Sequence, residues 1–263
     1  MENGRINVSV ANLYRLPRYS SEIVSQALLG EICMVLQKGK KFTRIALEDN
    51  YEGWISNQQW VHGEDRPYQR KKVRTHFLRI FEKPDFLSRP VRDAVIGTYL
   101  NIIAEQSDWV QVRLPDGITG YAPRQGFGSF PAASRTGIKQ VALEFCGYPY
   151  SWGGRSPKGF DCSGLVQTVF SLLDVKLPRD SWMQHRDGLP VGRDPEQAQA
   201  GDLYFFSDKA GKITHVAIAL GAANIIHAQG MVKINSLRRG TSEFKQDLFE
   251  SFVEVRTYFG KGQ

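Results

Sequence analysis

The sequence predicts a multidomain protein, two small β-barrels followed by an α+β domain, and three observations carry that reading. The first 130 or so residues match themselves, ungapped, at a displacement of 67. Within each copy the apolar residues fall in short alternating runs broken by Gly, Asp and Asn, the period of half-buried strands. After Pro131 the pattern changes to helical spacing and then to a few longer apolar runs.

The repeat organises the first half. Val24-Ser-Gln-Ala-Leu-Leu-Gly30 lies over Val91-Arg-Asp-Ala-Val-Ile-Gly97, and Phe42-Thr-Arg-Ile45 over Trp109-Val-Gln-Val112. Pro17 falls on Pro84, Asp49 on Asp116, and Gly53-Trp54-Ile55 on Gly120-Tyr121-Ala122. Asp49-Asn50 and Asp116-Gly117 are hairpin-turn signals. A unit of about 60 residues with several short strands closes its edges best as a small barrel. The expected divisions are 1–66 and 67–131 for the barrels and 132–263 for the third domain.

Composition limits the function classes. The 263 residues are 41% hydrophobic and 23% charged, ordinary globular material. No window approaches the roughly 18 to 20 apolar residues that span a bilayer, so no membrane role is expected. The start, Met1-Glu-Asn-Gly-Arg, lacks the basic and apolar regions of a signal peptide. Three cysteines, Cys33, Cys146 and Cys162, are too sparse for a disulfide framework and fit no zinc spacing. Reduced thiols and a cytoplasmic location are the expectation, with no metal. The net charge of +7 includes one dense basic run, Arg70-Lys71-Lys72-Val73-Arg74, in what reads as an interdomain connection. Elsewhere Lys and Arg are interleaved with acids, so nucleic acid is not an expected partner.

The last 130 residues carry the chemistry. Ile138, Val141, Ala142 and Phe145 have helical spacing, and the loop Tyr148-Pro-Tyr-Ser-Trp-Gly-Gly154 follows. Further on, Leu165, Val166, Val169, Phe170 and Leu173 make one apolar helical face. Asp161 is a natural N-cap for that helix, which places Cys162 in the first turn. Unpaired amides and the positive dipole end there are expected to depress the thiol pKa and to receive an oxyanion. Cys33 and Cys146, in apolar runs, read as buried small hydrophobes. Gly201–Phe206, Thr214–Leu220 and Asn224–Gln229 read as strands, the last two joined at Gly221-Ala-Ala. A hairpin about that turn sets His215 and His227 opposite or nearly opposite each other. One histidine then serves as base to the thiol while a polar partner orients it.

These residues resemble the NlpC/P60 family of papain-like cysteine peptidases. The motifs that carry the resemblance are Tyr150-Ser-Trp-Gly-Gly154, Asp161-Cys-Ser-Gly-Leu165, Leu177-Pro-Arg-Asp-Ser181, Pro190-Val-Gly192 with Ala200-Gly-Asp-Leu203, and Thr214-His-Val-Ala-Ile218 followed by His227. The early proline, mid-copy glycine and late Gly-Trp or Gly-Tyr of each repeat resemble the bacterial SH3-like (SH3b) domain. The resemblance implies two SH3-like barrels followed by an α+β papain-like NlpC/P60 domain, with Cys162 as nucleophile, His215 as base, His227 as third polar residue and Tyr150 lining the centre. The whole arrangement is similar to a branch of γ-D-glutamyl-L-diamino acid endopeptidases that cleave peptidoglycan stem peptides bearing a free N-terminal L-Ala. That likeness implies that Asp161, Ser163, Asp180 and Ser181 grip the ammonium together with an acid and a tyrosine of the first barrel, for which Glu52 and Tyr68 are the candidates. It implies no cofactor and a role in recycling wall peptides. Two alternatives stay open, a non-catalytic wall-binding protein and an amidase or acyltransferase using the same triad.

Overall fold

Short β-prone runs separated by turn residues become antiparallel strands throughout the first half of the chain. The computed structural model describes residues 2–63 and 67–260, and the chain forms two units, Met1–Ser129 and Phe130–Gln263. In the first, β1 (Asn3–Ile6), β2 (Val10–Tyr14), β3 (Ile23–Leu28), β4 (Ile32–Lys38), β5 (Phe42–Leu47), β6 (Glu52–Ser56) and β7 (Trp60–His62) form a sheet ordered β3-β2-β6-β5-β4-β1-β7. Then β8 (Gln69–Lys72), β9 (Phe77–Phe81), β10 (Pro90–Val95), β11 (Tyr99–Glu105), β12 (Trp109–Arg113) and β13 (Thr119–Pro123) form a sheet ordered β10-β9-β13-β12-β11-β8. The second order repeats the first, and the pairing of β7 with β1, which includes Ile6 with Trp60, is reduced to a single bridge between Val73 and Phe127.

The repeat extends to backbone detail. The bulge between Val35 and Gln37 recurs between Ile102 and Ala104. Asn50, at φ 60°, occupies the left-handed turn position that Gly117, at φ 84°, fills in the second copy. Glycine adopts that conformation freely and asparagine at low cost, which explains the exchange. The copies share packing: Leu29 of the first lies in the apolar core of the second with Val73, Leu78, Ile80 and Val110. Asn7 Nδ2 also donates to Asp116 Oδ2 at 3.1 Å. One expectation is corrected here. Arg70–Lys72 is not a connection but part of β8, an edge strand paired with β11. Arg70 and Lys72 each sit 5.1 Å from the Tyr99 ring, a cation–π arrangement that suits a basic edge strand.

The second unit contains α1 (Arg135–Leu143), the two-strand pair β14 (Arg155–Ser156) and β15 (Gly159–Phe160), α2 (Cys162–Leu172) and α3 (Ser181–Asp187). They are followed by β16 (Leu189–Gly192), β17 (Leu203–Ser207), β18 (Ile213–Gly221), β19 (Asn224–Gln229), β20 (Met231–Ser236), α4 (Gln246–Ser251) and β21 (Phe252–Thr257). The sheet runs β16-β21-β17-β18-β19-β20. Ser134 Oγ caps α1 by accepting from the Gly137 amide at 3.0 Å. Packed on α1, β18 and β19, α2 buries Leu165, Val166, Val169 and Phe170, and also the polar Ser163, Gln167 and Thr168. The chain leaves α1 after Leu143, and Cys146 lies in the following turn, exposed rather than buried. Cys33 is buried as expected.

Candidate active site

Asp161 has the extended backbone of an N-cap, and its Oδ1 accepts from the Gly164 amide at 2.6 Å, so α2 begins at Cys162. Gly164 has to be glycine, since a Cβ there would stand 2.0 Å from the Gly154 carbonyl oxygen. The loop carrying Tyr150 therefore passes directly against the first turn of α2.

Asp161 does more than cap. Its Oδ2 accepts from the Gly153 amide at 3.0 Å and from Arg179 Nη2 at 2.5 Å, while Oδ1 also takes Arg179 Nη1 at 3.1 Å. Arg179 Nη1 further donates to Ser163 Oγ at 3.0 Å, and Ser163 Oγ lies 3.3 Å from Asp161 Oδ1. Arg179 is 2% exposed, so its guanidinium and this carboxylate form a buried, bidentate pair. Asp161 was expected to offer negative charge to a substrate ammonium. That charge is instead neutralised by Arg179, and both oxygens are spent on holding the loop and the helix start. Arg179 lies inside a motif quoted from the sequence, yet nothing in its spacing announces that it turns inward.

The histidines come from adjacent strands. Ala222 and Ala223, at φ 52° and 56°, make the tight turn between β18 and β19. Ile218 pairs with Ile226 and Ala219 with Ile225, so continuing the register sets His227 across from Ala217. His215 is thus diagonal to His227 on the same face rather than directly opposite. His215 Nε2 lies 2.8 Å from His227 Nδ1, with the rings nearly perpendicular at 80°. His227 is fully buried, and its Nε2 lies 2.9 Å from Asn235 Oδ1. Asn235, on β20, was not anticipated. The Phe206 ring packs against His215 at 5.5 Å.

The Cys162 sulfur is close enough to the backbone amides of Val216 and Ser163 for both to favour its thiolate. Val216 follows His215 on β18, the strand against which the Cys162 helix packs. Burial pushes the Cys162 thiol up to about 12, with the Asp161 charge adding to the rise and the Val216 amide opposing it. Burial also drives His215 down to about 3, helped by the proximity of His227 and Lys233. The resting pair is therefore neutral thiol and neutral imidazole, contrary to the depressed thiol expected from the helix dipole. Magnitudes explain the reversal: a helix N-terminus contributes about 0.3–2 kcal/mol, whereas full desolvation shifts a group by up to about 3–5 pK units at 1.36 kcal/mol each. A neutral pair generates its thiolate only as the proton passes to His215.

Tyr150 is half-buried, and its phenol is pushed up to about 12 by burial and then by negative charge at Cys162 and Asp161, which places it within electrostatic reach of the sulfur. Its amide donates to the Gly230 carbonyl at 3.0 Å. Asp180 is the N-cap residue of α3, though its side chain makes no capping bond there, and Ser181 is buried at the first position. Gln184 of α3 ties this segment to the Cys helix by donating from Nε2 to the carbonyls of Ser163 at 3.1 Å and Pro178 at 2.8 Å. In the first unit, Glu52 is exposed and its Oε2 accepts from Arg44 Nη2 at 2.6 Å, while Tyr68 is half-buried just before β8. The second unit by itself thus brings together Tyr150, Asp161, Cys162, Ser163, Arg179, His215, His227 and Asn235. Among the described residues, no group of three or more His, Cys, Asp or Glu side chains is placed to hold a metal, and no helix is long and apolar enough to cross a membrane.

This constellation matches known proteins. A family model described as NlpC/P60 family covers residues 147–251, and one described as bacterial dipeptidyl-peptidase Sh3 domain covers 13–59. The chain is 30% identical, over 80% of its length and 68% of the relative's, to a gamma-D-glutamyl-L-lysine dipeptidyl-peptidase of Bacillus cereus. It is 28% identical to dipeptidyl-peptidase 6 of Lysinibacillus sphaericus over 98% of this chain and 100% of that one. A crystal structure of an NlpC/P60 family protein from Bacillus cereus shares the fold, with a TM-score of 0.85 at 23% identity over 97% of this chain and 99% of that one. With an SH3 domain followed by a catalytic domain that carries a half-buried cysteine at a helix start and a pair of histidines on the adjoining strands, the chain belongs to the NlpC/P60 family of cysteine peptidases.

Proposed function

We propose that this peptidase hydrolyses the γ-D-glutamyl–diamino acid bond of peptidoglycan stem peptides that carry a free N-terminal L-Ala, in the cytoplasmic recycling of wall peptides. The observation that carries the reading is a cysteine at the head of a helix packed on the strand of His215, whose Nε2 lies 2.8 Å from a second histidine. The name of the Bacillus cereus relative, a gamma-D-glutamyl-L-lysine dipeptidyl-peptidase, supports the bond, and the sparse free cysteines suit a reducing compartment. On this reading the catalytic domain is papain-like and the second repeat is a second SH3-like barrel.

The proposed reaction begins with His215 taking the thiol proton as Cys162 sulfur bonds to the γ-carbonyl carbon of D-Glu. Amides at the start of α2 stabilise the oxyanion. As the tetrahedral centre collapses, the C–N bond breaks and His215 protonates the departing amine. Water, deprotonated by His215, then hydrolyses the thioester and frees L-Ala-γ-D-Glu.

Recognition of the ammonium changes with the geometry. Because Asp161 already carries Arg179, and Glu52 of the first unit already pairs with Arg44, the proposed counter-charge falls to Asp180, with Ser163, Ser181 and Tyr150 as hydrogen-bonding neighbours. An N-acetylated alanine loses the charge and keeps one of the ammonium's three N–H donors. The test is mass spectrometry of products from L-Ala-γ-D-Glu-diamino acid peptides and their N-acetyl forms. The expected result is cleavage on the carboxyl side of D-Glu, with kcat/KM lower by about 100-fold or more for the acetylated peptide. Equal rates on both would favour a wall hydrolase, and transfer products without hydrolysis an acyltransferase.

A further inference from the structure

The polar chain behind Cys162 does not end at His227, and its last member stands where a strand's pattern inverts. In β20, Ile234 is 38% exposed while Asn235 is 6% exposed, the reverse of what their polarities favour. A buried polar side chain in place of an apolar one calls for a reason, and the hydrogen bonds supply it.

Asn235 has its orientation decided from behind. The Glu243 carbonyl accepts from Nδ2 at 3.3 Å, and since a carbonyl only accepts, Oδ1 is the atom turned toward His227. His227 Nε2 meets that oxygen at 2.9 Å and so carries its proton. A neutral imidazole has one N–H, which leaves His227 Nδ1 as an acceptor. His215 Nε2, 2.8 Å away, is therefore the donor in that contact. By the same count the basic lone pair of His215 resides on Nδ1, the nitrogen that His227 does not engage. The reversed arrangement would set bare His227 Nε2 against Asn235 Oδ1, two acceptors facing each other in a buried site.

We infer that Asn235 is a positioning residue: acting through His227, it fixes both imidazoles as Nε2–H tautomers and so keeps His215 Nδ1 available as the base. The inference rests on Cys162 and His215 being the reacting pair, but its first test does not. The ring-nitrogen NMR signals of isotopically labelled histidine, recorded on the folded protein near neutral pH, report which nitrogen of each ring is protonated, with or without turnover.

The comparison uses wild type, Asn235→Leu, which removes the acceptor at similar size, and Asn235→Asp, which keeps an oxygen acceptor but drops the donor. Wild type is expected to show Nε2–H for both His215 and His227. Asn235→Leu is expected to show mixed tautomers at His227 and a kcat lower by about tenfold or more with KM little changed, and Asn235→Asp to recover the tautomer and most of the kcat. Nδ1–H at His227 in wild type would overturn the inference, as would Asn235→Leu with wild-type tautomers and kcat. If Asn235→Leu fails to fold, the wild-type signals and Asn235→Asp still decide. Absence of turnover in wild type would count against the proposed reaction, while the tautomer result would stand on its own.

Discussion

Among the described residues of the first unit the buried polar ones are Ser9, Ser25, Gln26, Thr43, Ser56 and Thr98, all neutral. In the second they include Asp161, Arg179, Asp202 and His227. Charged groups of the first unit pair in the open, as Arg15 with Glu22 at 2.5 Å and Arg44 with Glu52 at 2.6 Å, or half-buried, as Arg92 with Asp116, but none is an ion pair with a fully buried partner among the described residues. The contrast separates two uses of polar chemistry. Exposed pairs decorate a fold that apolar and aromatic packing already specifies, and each contributes about 0–1 kcal/mol. A buried pair seldom outperforms apolar residues of the same volume, so its presence in the second unit is best explained by what it positions. Asp161 and Arg179 hold the head of the Cys helix, and His227 with Asn235 holds the base.

The largest effects are therefore expected in the second unit. Cys162→Ala should abolish hydrolysis with an unchanged circular dichroism spectrum, and His215→Ala should be comparably severe; steady-state kinetics on folded variants check both. Gly164→Ala, forced against the Gly154 carbonyl, should lower stability and turnover together, read by urea unfolding and kcat. Arg179→Met leaves the Asp161 carboxylate buried without its partner and should cost about 3–5 kcal/mol in urea unfolding. Adding Asp161→Asn to Arg179→Met should restore part of that loss. If Arg179→Met is as mild as Arg44→Ala, the contrast between the units collapses.

Acidity should distinguish the units further. The folded state holds His215 at about 3, against about 6.5 for an unconstrained imidazole, so the unfolded chain binds the proton more readily. The stability due to the neutral ring is fully present above about 6.5 and is lost as pH falls toward 3. Stability measured across that window should decline in wild type and decline less in His215→Phe. Equal slopes would argue that the ring is not held neutral by burial.

The smallest effect is expected where the copies of the repeat disagree. Arg15 and Glu22 correspond to Glu82 and Arg89, the same ion pair with its charges exchanged. The double swap Arg15→Glu with Glu22→Arg should change the midpoint of thermal unfolding by no more than a degree or two, since an exposed pair contributes about 0–1 kcal/mol. A large loss would mean that the first copy depends on that polarity.

The repeat was legible because strand period and turn glycines are local signals. Its aromatic clusters confirm the correspondence: Tyr14, Tyr19 and Phe42 pack with centroids 4.9–5.9 Å apart, and Phe81, Phe86 and Trp109 do so at 4.7–5.9 Å. Cys162 at a helix start and the paired histidines were legible for the same reason, since caps and hairpin registers act over a few residues. What escaped were consequences of burial. Arg179 and Asn235 have polar side chains that ordinarily face water, and only the packing of α2, α3 and β20 turns them inward. The thiol's raised pKa escaped likewise, because the dipole can be read from the sequence while the desolvation that outweighs it cannot.

The central claim is that Cys162 forms a covalent acyl intermediate with the glutamyl part of a wall peptide. Intact-protein mass spectrometry after acid quench of enzyme mixed with L-Ala-γ-D-Glu-diamino acid peptide tests it most directly. The account expects a mass increase equal to the L-Ala-γ-D-Glu acyl group, mapped to the peptide containing Cys162 and absent from Cys162→Ala. Turnover without that adduct, accompanied by retained hydrolysis in Cys162→Ala, would contradict it.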